Sequence, residues 1–205
     1  MYRVDRNNFY GEAKNATVYT PKGVSEFIFS LVAPTIKKGG TVIDPCVGEG
    51  ALLEPFKRKG FQVVGIDIQD QGFPDTRVQD FMEAKASQFP KPDLVIANPP
   101  FNLEQRTKEL IADRFGRRPL LPEVWLRHCV ELWGKEVPLV LFAPYGLRLN
   151  QSLTSARWQR FVNRDYPEIA SIIALPKDIY EDVLFHSEIL IFNVKGLKAH
   201  YFYDG

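Results

Sequence analysis

The stretch LVIANPPF, from Leu94 to Phe101, constrains this chain more than any other. A short, continuous apolar run reads as a strand buried on both faces, as at the centre of a parallel sheet. A strand with one wet face would alternate instead. Proline has no N–H to give to a ladder and fixes its own φ, so Pro99 stops the strand at Asn98. It also pushes Asn98 into an extended conformation. The product is a rigid polar corner at the carboxyl end of a buried strand, where open α/β sheets bind ligands. The plain alternative is a loop that holds two prolines, Pro99 and Pro100.

The rest of the chain repeats the theme. GGTVIDP, FQVVGIDI, a short piece of TRVQDFM, DLVIANPP, VPLVLFAP, IASIIALP and HSEILIFNV read as seven strands. Helical patterns lie between them, which implies a mostly parallel sheet. TPKGVSEFIFSLVAPTI predicts a helix with Thr20 as N-cap and Pro21 at the first helical position. Val24, Phe27, Ile28 and Leu31 fall on one face of it. EGALLEPFKRKG reads as a helix closed by Gly60. Glu123 to Lys135 and TSARWQRFVNRDY read as two more, the former after a loop rich in Pro, Gly and Arg. Right-handed crossovers fold this order into a doubly wound sheet with helices on both faces.

A chain of 205 residues with 45% hydrophobic and 25% charged residues suits one α/β domain with a real core. Residues 1–16 are polar enough for a mobile arm. No apolar run approaches the roughly 18 residues of a membrane helix. The N-terminus lacks the apolar segment of a signal peptide, so a cytoplasmic protein is expected. Cys46 and Cys129 are far apart with no CxxC spacing, which points to a reducing compartment and no zinc site. With 3 His, a His-rich metal site is not expected. The net charge of +1 excludes a wholesale polycation but not a local basic patch. Arg106, Lys108, Arg114, Arg117, Arg118 and Arg127 form one uneven stretch; Arg148, Arg157, Arg160 and Arg164 form another. For any single arginine the simpler reading is a solvated helix face.

The first strand runs into DPCVGEG, where Gly48 and Gly50 turn the chain toward the next helix. Glycines there allow positive φ and close approach of a ligand to the backbone. The spacing is neither GxGxxG nor a P-loop. Asp67 ends the second strand about 20 residues on, where an acid accepts hydrogen bonds from both ribose hydroxyls of a nucleoside. Ile68 can pack on the base. Asp80, at the end of the third strand, can accept from an adenine amino group, with Phe81 against the ring face. Each acid alone is more commonly a cap or a surface residue. Three at successive strand ends, Asp44 after the first strand with Asp67 and Asp80, around one glycine turn, describe a pocket for an adenosine-containing cofactor with no phosphate grip.

DPCVGEG, GIDI, QDF and NPPF occur here in the order and spacing of class I S-adenosylmethionine-dependent methyltransferases that modify exocyclic amines, and the chain resembles that family. NPPF resembles the signature of the adenine-N6 enzymes. The likeness runs from about Tyr19 to Val194 and is nearest to the catalytic core of type I restriction–modification methylation subunits. It implies an α/β, Rossmann-like fold with a seven-stranded, mostly parallel sheet, and S-adenosyl-L-methionine as cofactor. It assigns cofactor contacts to Tyr19, Thr20 and Pro21, which close over the methionine part, to Asp44, Pro45, Gly48 and Gly50, to Asp67, Ile68, Asp80 and Phe81, and to Asn98. The catalytic group it implies is Asn98, Pro99, Pro100 and Phe101. The Asn98 side-chain oxygen and the Pro99 carbonyl would accept from the reacting amine, and Phe101 would stack on the base. A base within a duplex must be flipped out to reach such a site. Tyr180 and Phe185 are the candidates for its second wall, each with burial in the core as the alternative. Arg117 and Arg118 are candidates for phosphate contact, in a loop marked by Gly116, Pro119 and Pro122.

The chain departs from these relatives in beginning almost at the cofactor segment and ending just past the seventh strand. It is expected to be a single catalytic domain over 1–205 with no separate target-recognition domain. DNA is the expected partner, RNA the alternative, and specificity would come from a separate subunit, a homo-oligomer or short loops. A glutamine amide on a protein is a further alternative substrate, and a catalytically silent subunit is the alternative outside enzymes.

Overall fold

A computed structural model describes residues 19–100, 105–116, 120–149, 151–180 and 186–205. Eight strands form one sheet: β1 (Thr41–Asp44), β2 (Gln62–Asp67), β3 (Thr76–Val78), β4 (Leu94–Ala97), β5 (Leu139–Pro144), β6 (Ile169–Ala174), β7 (Ser187–Phe192) and β8 (His200–Phe202). Their spatial order is β3-β2-β1-β4-β5-β7-β6-β8. All neighbours are parallel except β7, which runs antiparallel between β5 and β6. The expected seven strands are present, and β8 is added on the edge beside β6. Three residues, HYF, are too short a run to carry a periodic signal.

The continuous apolar runs are explained by burial on both faces. Ile43, Val95, Leu139 and Leu141 point into one cluster, against Ile111, Val124, Trp125, Leu126 and Cys129. Their chain neighbours Val42, Leu94, Ile96 and Val140 point into the other, against Val24, Ile28, Val32 and Phe56. Helices α3 (Gln105–Phe115) and α4 (Leu121–Trp133) therefore cover one face, and α1 (Lys22–Val32) and α2 (Glu54–Arg58) cover the other. A fifth helix, α5 (Ala156–Val162), follows β5, with Ser155 Oγ accepting from the Trp158 N–H at 3.1 Å as its cap.

Three local readings need correction. The stretch after NPPF is not all loop. Gln105–Phe115 is a helix that Gly116 ends at φ 88°, and α4 begins two residues before Glu123, with Pro122 in its first turn. The helix over EGALLEPFKRKG shortens to Glu54–Arg58, because Gly50 at φ 86° opens a series of turns first. It does close on Gly60, with the Phe61 N–H reaching back to the Phe56 carbonyl at 3.1 Å. Thr20 does not cap α1. Pro21 occupies the N-cap position without a side-chain bond, and the Thr20 hydroxyl is used elsewhere.

The glycine turn after β1 packs directly on β2. A Cβ at Gly65 would fall 2.7 Å from Val47 Cγ1 and 2.8 Å from Cγ2. Gly65→Ala is therefore expected to cost about 1–3 kcal/mol of stability in urea unfolding, the range for an overpacked core. The Gly65→Ala, Val47→Ala double variant should be less destabilised than the sum of the singles. Additive effects would separate the two residues.

Candidate active site

β1 ends on Asp44, β2 on Asp67, and β4 hands over to Asn98. These strands are parallel neighbours, so their carboxyl ends share one edge of the sheet. The strand order reverses at β1 and β4, which opens a crevice there. The DPCVGEG turn crosses it and is stitched down by the strand-end acids. The Cys46 N–H donates to Asp44 Oδ1 and the Gly48 N–H to Asp67 Oδ2, both at 2.9 Å. Asp67 Oδ1 also accepts from the Gln69 N–H at 3.1 Å.

The two glycines differ. Gly48 has φ 53°, and a Cβ there would meet nothing closer than Gln71 Oε1 at 3.9 Å. Its bare backbone faces open space, as a ligand cradle requires. Gly50 is buried, and a Cβ there would strike the Phe73 ring, so core packing by itself requires a glycine at this position. Pro45 is buried behind the turn. Ile68 is 44% exposed and Tyr19 48% exposed, so apolar surface stands open next to Asp67 and Thr20. Pro21 is half-buried.

Asp80 lies two residues beyond the end of β3, and its Oδ1 accepts from the Met82 N–H at 2.9 Å. The Phe81 ring is not an open platform. It is 4% exposed and packs on Trp125, His128 and Trp133. His128 was not singled out by sequence. Its Nε2 lies 2.8 Å from the Phe81 carbonyl, and a carbonyl only accepts, so that nitrogen carries the proton. Burial and the nearby Arg114 hold the imidazole below its ordinary pKa, hence neutral. Arg114 reaches the Met82 carbonyl at 3.4 Å. Helices α3 and α4 thus brace the loop that presents Asp80. Only tertiary packing carries that signal.

At the opposite wall, Pro99 is buried, and Pro100 and Asn98 are half-buried. Asn98 Nδ2 donates to Thr20 Oγ1 at 3.1 Å, across 78 residues of chain. Among the described residues no donor is bonded to Asn98 Oδ1. Tyr180 is 4% exposed, so its ring offers no free face, contrary to the wall expected of it. Burial raises its hydroxyl pKa to about 12, against the lowering by Ser187 and Asn98 beside it. Phe101, Phe185, Arg117 and Arg118 lie outside the described residues. Burial and the carboxylates nearby push the Cys46 thiol well up, and burial does the same to Cys129, so neither is a thiolate nucleophile at neutral pH.

Asp44 is 1% exposed, and burial raises its carboxyl pKa from 3.8 to about 7, against the lowering by the Cys46 N–H. An acid whose pKa is higher folded than unfolded holds its proton more tightly in the folded state. Its contribution is therefore fully present below about pH 4, is lost as pH rises toward 7, and is flat above that. Relative to wild type, Asp44→Asn should gain on the order of 4 kcal/mol between these limits, read by urea unfolding at a series of pH values. Parallel curves for the two proteins would remove this role.

No protein-family model and no curated protein sequence matches the chain. Its structure is similar to solved ones. A type I restriction–modification methyltransferase subunit from Streptococcus thermophilus matches at TM-score 0.62 and 20% identity, over 90% of this chain and 47% of that one. A protein assigned as a class I S-adenosylmethionine-dependent methyltransferase from Listeria monocytogenes matches at TM-score 0.66 and 17% identity, over 94% and 67%. A protein assigned as a type I restriction-enzyme modification subunit from Vibrio vulnificus matches at TM-score 0.65 and 14% identity, over 88% and 45%. The chain thus spans about half the length of both restriction subunits. With the crevice, the strand order and these likenesses together, the chain has the Rossmann-like fold of the class I methyltransferases.

Proposed function

We propose that this protein is an S-adenosylmethionine-dependent methyltransferase that acts on the exocyclic N6 amine of adenine in DNA. The observation that carries the reading is Asn98: a proline-stiffened amide at the switch-point crevice, its nitrogen taken up by Thr20 and its oxygen without a bonded donor among the described residues. The open backbone at Gly48, the exposed Ile68 and the strand-end acids fit the cofactor. Asp67 would hold the ribose hydroxyls and Asp80 the adenine amino group. Tyr19, Thr20, Pro21 and Asp44 would border the methionine part. When bound, S-adenosylmethionine supplies an electrophilic methyl group on sulfur.

The residues of this chain do the rest. The lone pair of an adenine amine is delocalised into the ring, so the nitrogen must become more tetrahedral before it attacks. Asn98 Oδ1 and the Pro99 carbonyl, as two fixed acceptors on its N–H groups, favour that change and align the amine for in-line attack. Pro99 and Pro100 hold both oxygens still, so little reorganisation remains for the transition state. Phe101 and Phe185 are proposed to hold the flipped base, and Arg117 and Arg118 to contact phosphate. A separate specificity subunit, or a second copy of this chain, is the proposed partner.

The test is incubation with methyl-labelled S-adenosylmethionine and duplex DNA, single-stranded DNA or RNA, followed by nucleoside mass spectrometry. Labelled N6-methyladenine in DNA is expected. Asn98→Ala should lower kcat at least about 100-fold and leave the cofactor Kd within about twofold. Label in RNA alone would change the substrate. Equal loss of turnover and cofactor binding would make Asn98 a cofactor ligand instead.

A further inference from the structure

A carboxamide can turn over, exchanging oxygen for nitrogen, and only one orientation of Asn98 offers an acceptor to an amine. Something must choose between the two. Two hydroxyls from distant parts of the chain converge on this side chain. Thr20, 9% exposed in the segment before α1, has Oγ1 3.1 Å from Asn98 Nδ2. Tyr180, between β6 and β7, has its hydroxyl against Asn98 and Ser187. That hydroxyl is buried close to both but makes no hydrogen bond of normal geometry, and neither does Ser187 Oγ. A phenylalanine would fill the same space with no polar atom to satisfy, so the orphaned hydroxyl beside Asn98 is the group to explain.

We infer that Thr20 and Tyr180 are positioning residues that hold the Asn98 amide with its nitrogen toward them and its oxygen toward the substrate. Thr20 Oγ1 accepts one hydrogen of Nδ2. The Tyr180 oxygen faces the other, and its own proton points to Ser187 Oγ. Each hydroxyl then has a partner, and Oδ1 is left as the outward acceptor. The catalytic consequence rests on the methyltransferase reading; the orientation itself does not.

The experiment uses the full chain as wild type, Thr20→Val, Thr20→Ser and Tyr180→Phe. NMR follows hydrogen exchange of the Asn98 side-chain amide in nitrogen-15-labelled protein, assigned by its absence in Asn98→Ala. Slow exchange is expected in wild type and Thr20→Ser. Exchange at least about tenfold faster is expected in Thr20→Val and Tyr180→Phe, as for loss of one orienting hydrogen bond. In the methylation assay, Tyr180→Phe should lower kcat about tenfold with cofactor Kd unchanged, and Thr20→Ser should restore what Thr20→Val loses. Unchanged exchange and unchanged kcat in both hydroxyl deletions, with Asn98→Ala still inactive, would overturn the positioning role alone. Protected exchange in a wild type that neither binds S-adenosylmethionine nor methylates any substrate would support the positioning and overturn the methyltransferase reading.

Discussion

Burial of the central strands on both faces is the constraint from which the rest follows. Along β1, β4 and β5, successive side chains enter opposite apolar clusters, so no position within them tolerates an unpaired polar group. Polar chemistry is therefore confined to the strand ends. At the edge where the strand order reverses, those ends are Asp44, Asp67 and Asn98. The site is polar because the middles of these three strands cannot be.

The strand-end acids first serve the chain itself. Asp44 and Asp67 each hold a backbone N–H of the glycine turn, and Asp80 caps the turn that follows it. A carboxylate offers about four lone-pair sites, so such bonds leave capacity for ligand hydroxyls while fixing where each oxygen points. From the other side, His128 and Arg114 hold the carbonyls of Phe81 and Met82. A crevice built this way loses little conformational entropy on binding, since the groups that would meet a ligand are already held.

What was legible in the sequence is what local pattern encodes. The first seven strands, Asp44, Asp67 and Asn98 at their ends and the proline corner follow from run length and punctuation, whereas Asp80 falls two residues past the end of β3 and β8 gave no signal. What was not legible depends on distant contacts or on competing local signals. Gly116 and Pro119 drew attention to a loop and hid the helix Gln105–Phe115 just before it. Thr20 followed by Pro21 has the form of a helix cap, yet its hydroxyl finds Asn98 across 78 residues. Phe81 was placed against a ligand by its neighbour Asp80. Its ring goes to Trp125, His128 and Trp133, because a large apolar surface is buried wherever burial is most complete.

The arginines make the same point in electrostatic form. By composition, Arg148, Arg157 and Arg160 form part of a basic stretch. In the fold, Arg148 grips the buried Glu188 through Nε at 3.1 Å and a terminal nitrogen at 2.8 Å, tying the turn after β5 to the start of β7. Arg157 and Arg160 share Glu123, at 2.6 and 3.1 Å, and the Tyr166 hydroxyl adds a third donor at 2.5 Å, which joins α4 to α5. Glu188 and Glu123 are 2% and 5% exposed, so removing Arg148 would leave the Glu188 charge buried without its arginine partner, while Glu123 would keep one arginine if the other were removed. A guanidinium paired with a buried carboxylate keeps donors but has its charge largely neutralised and its position fixed, so it attracts a phosphate less than a free one. A count of basic residues therefore overstates what this surface can offer a polyanion, and only the ion pairs of the folded chain correct the count.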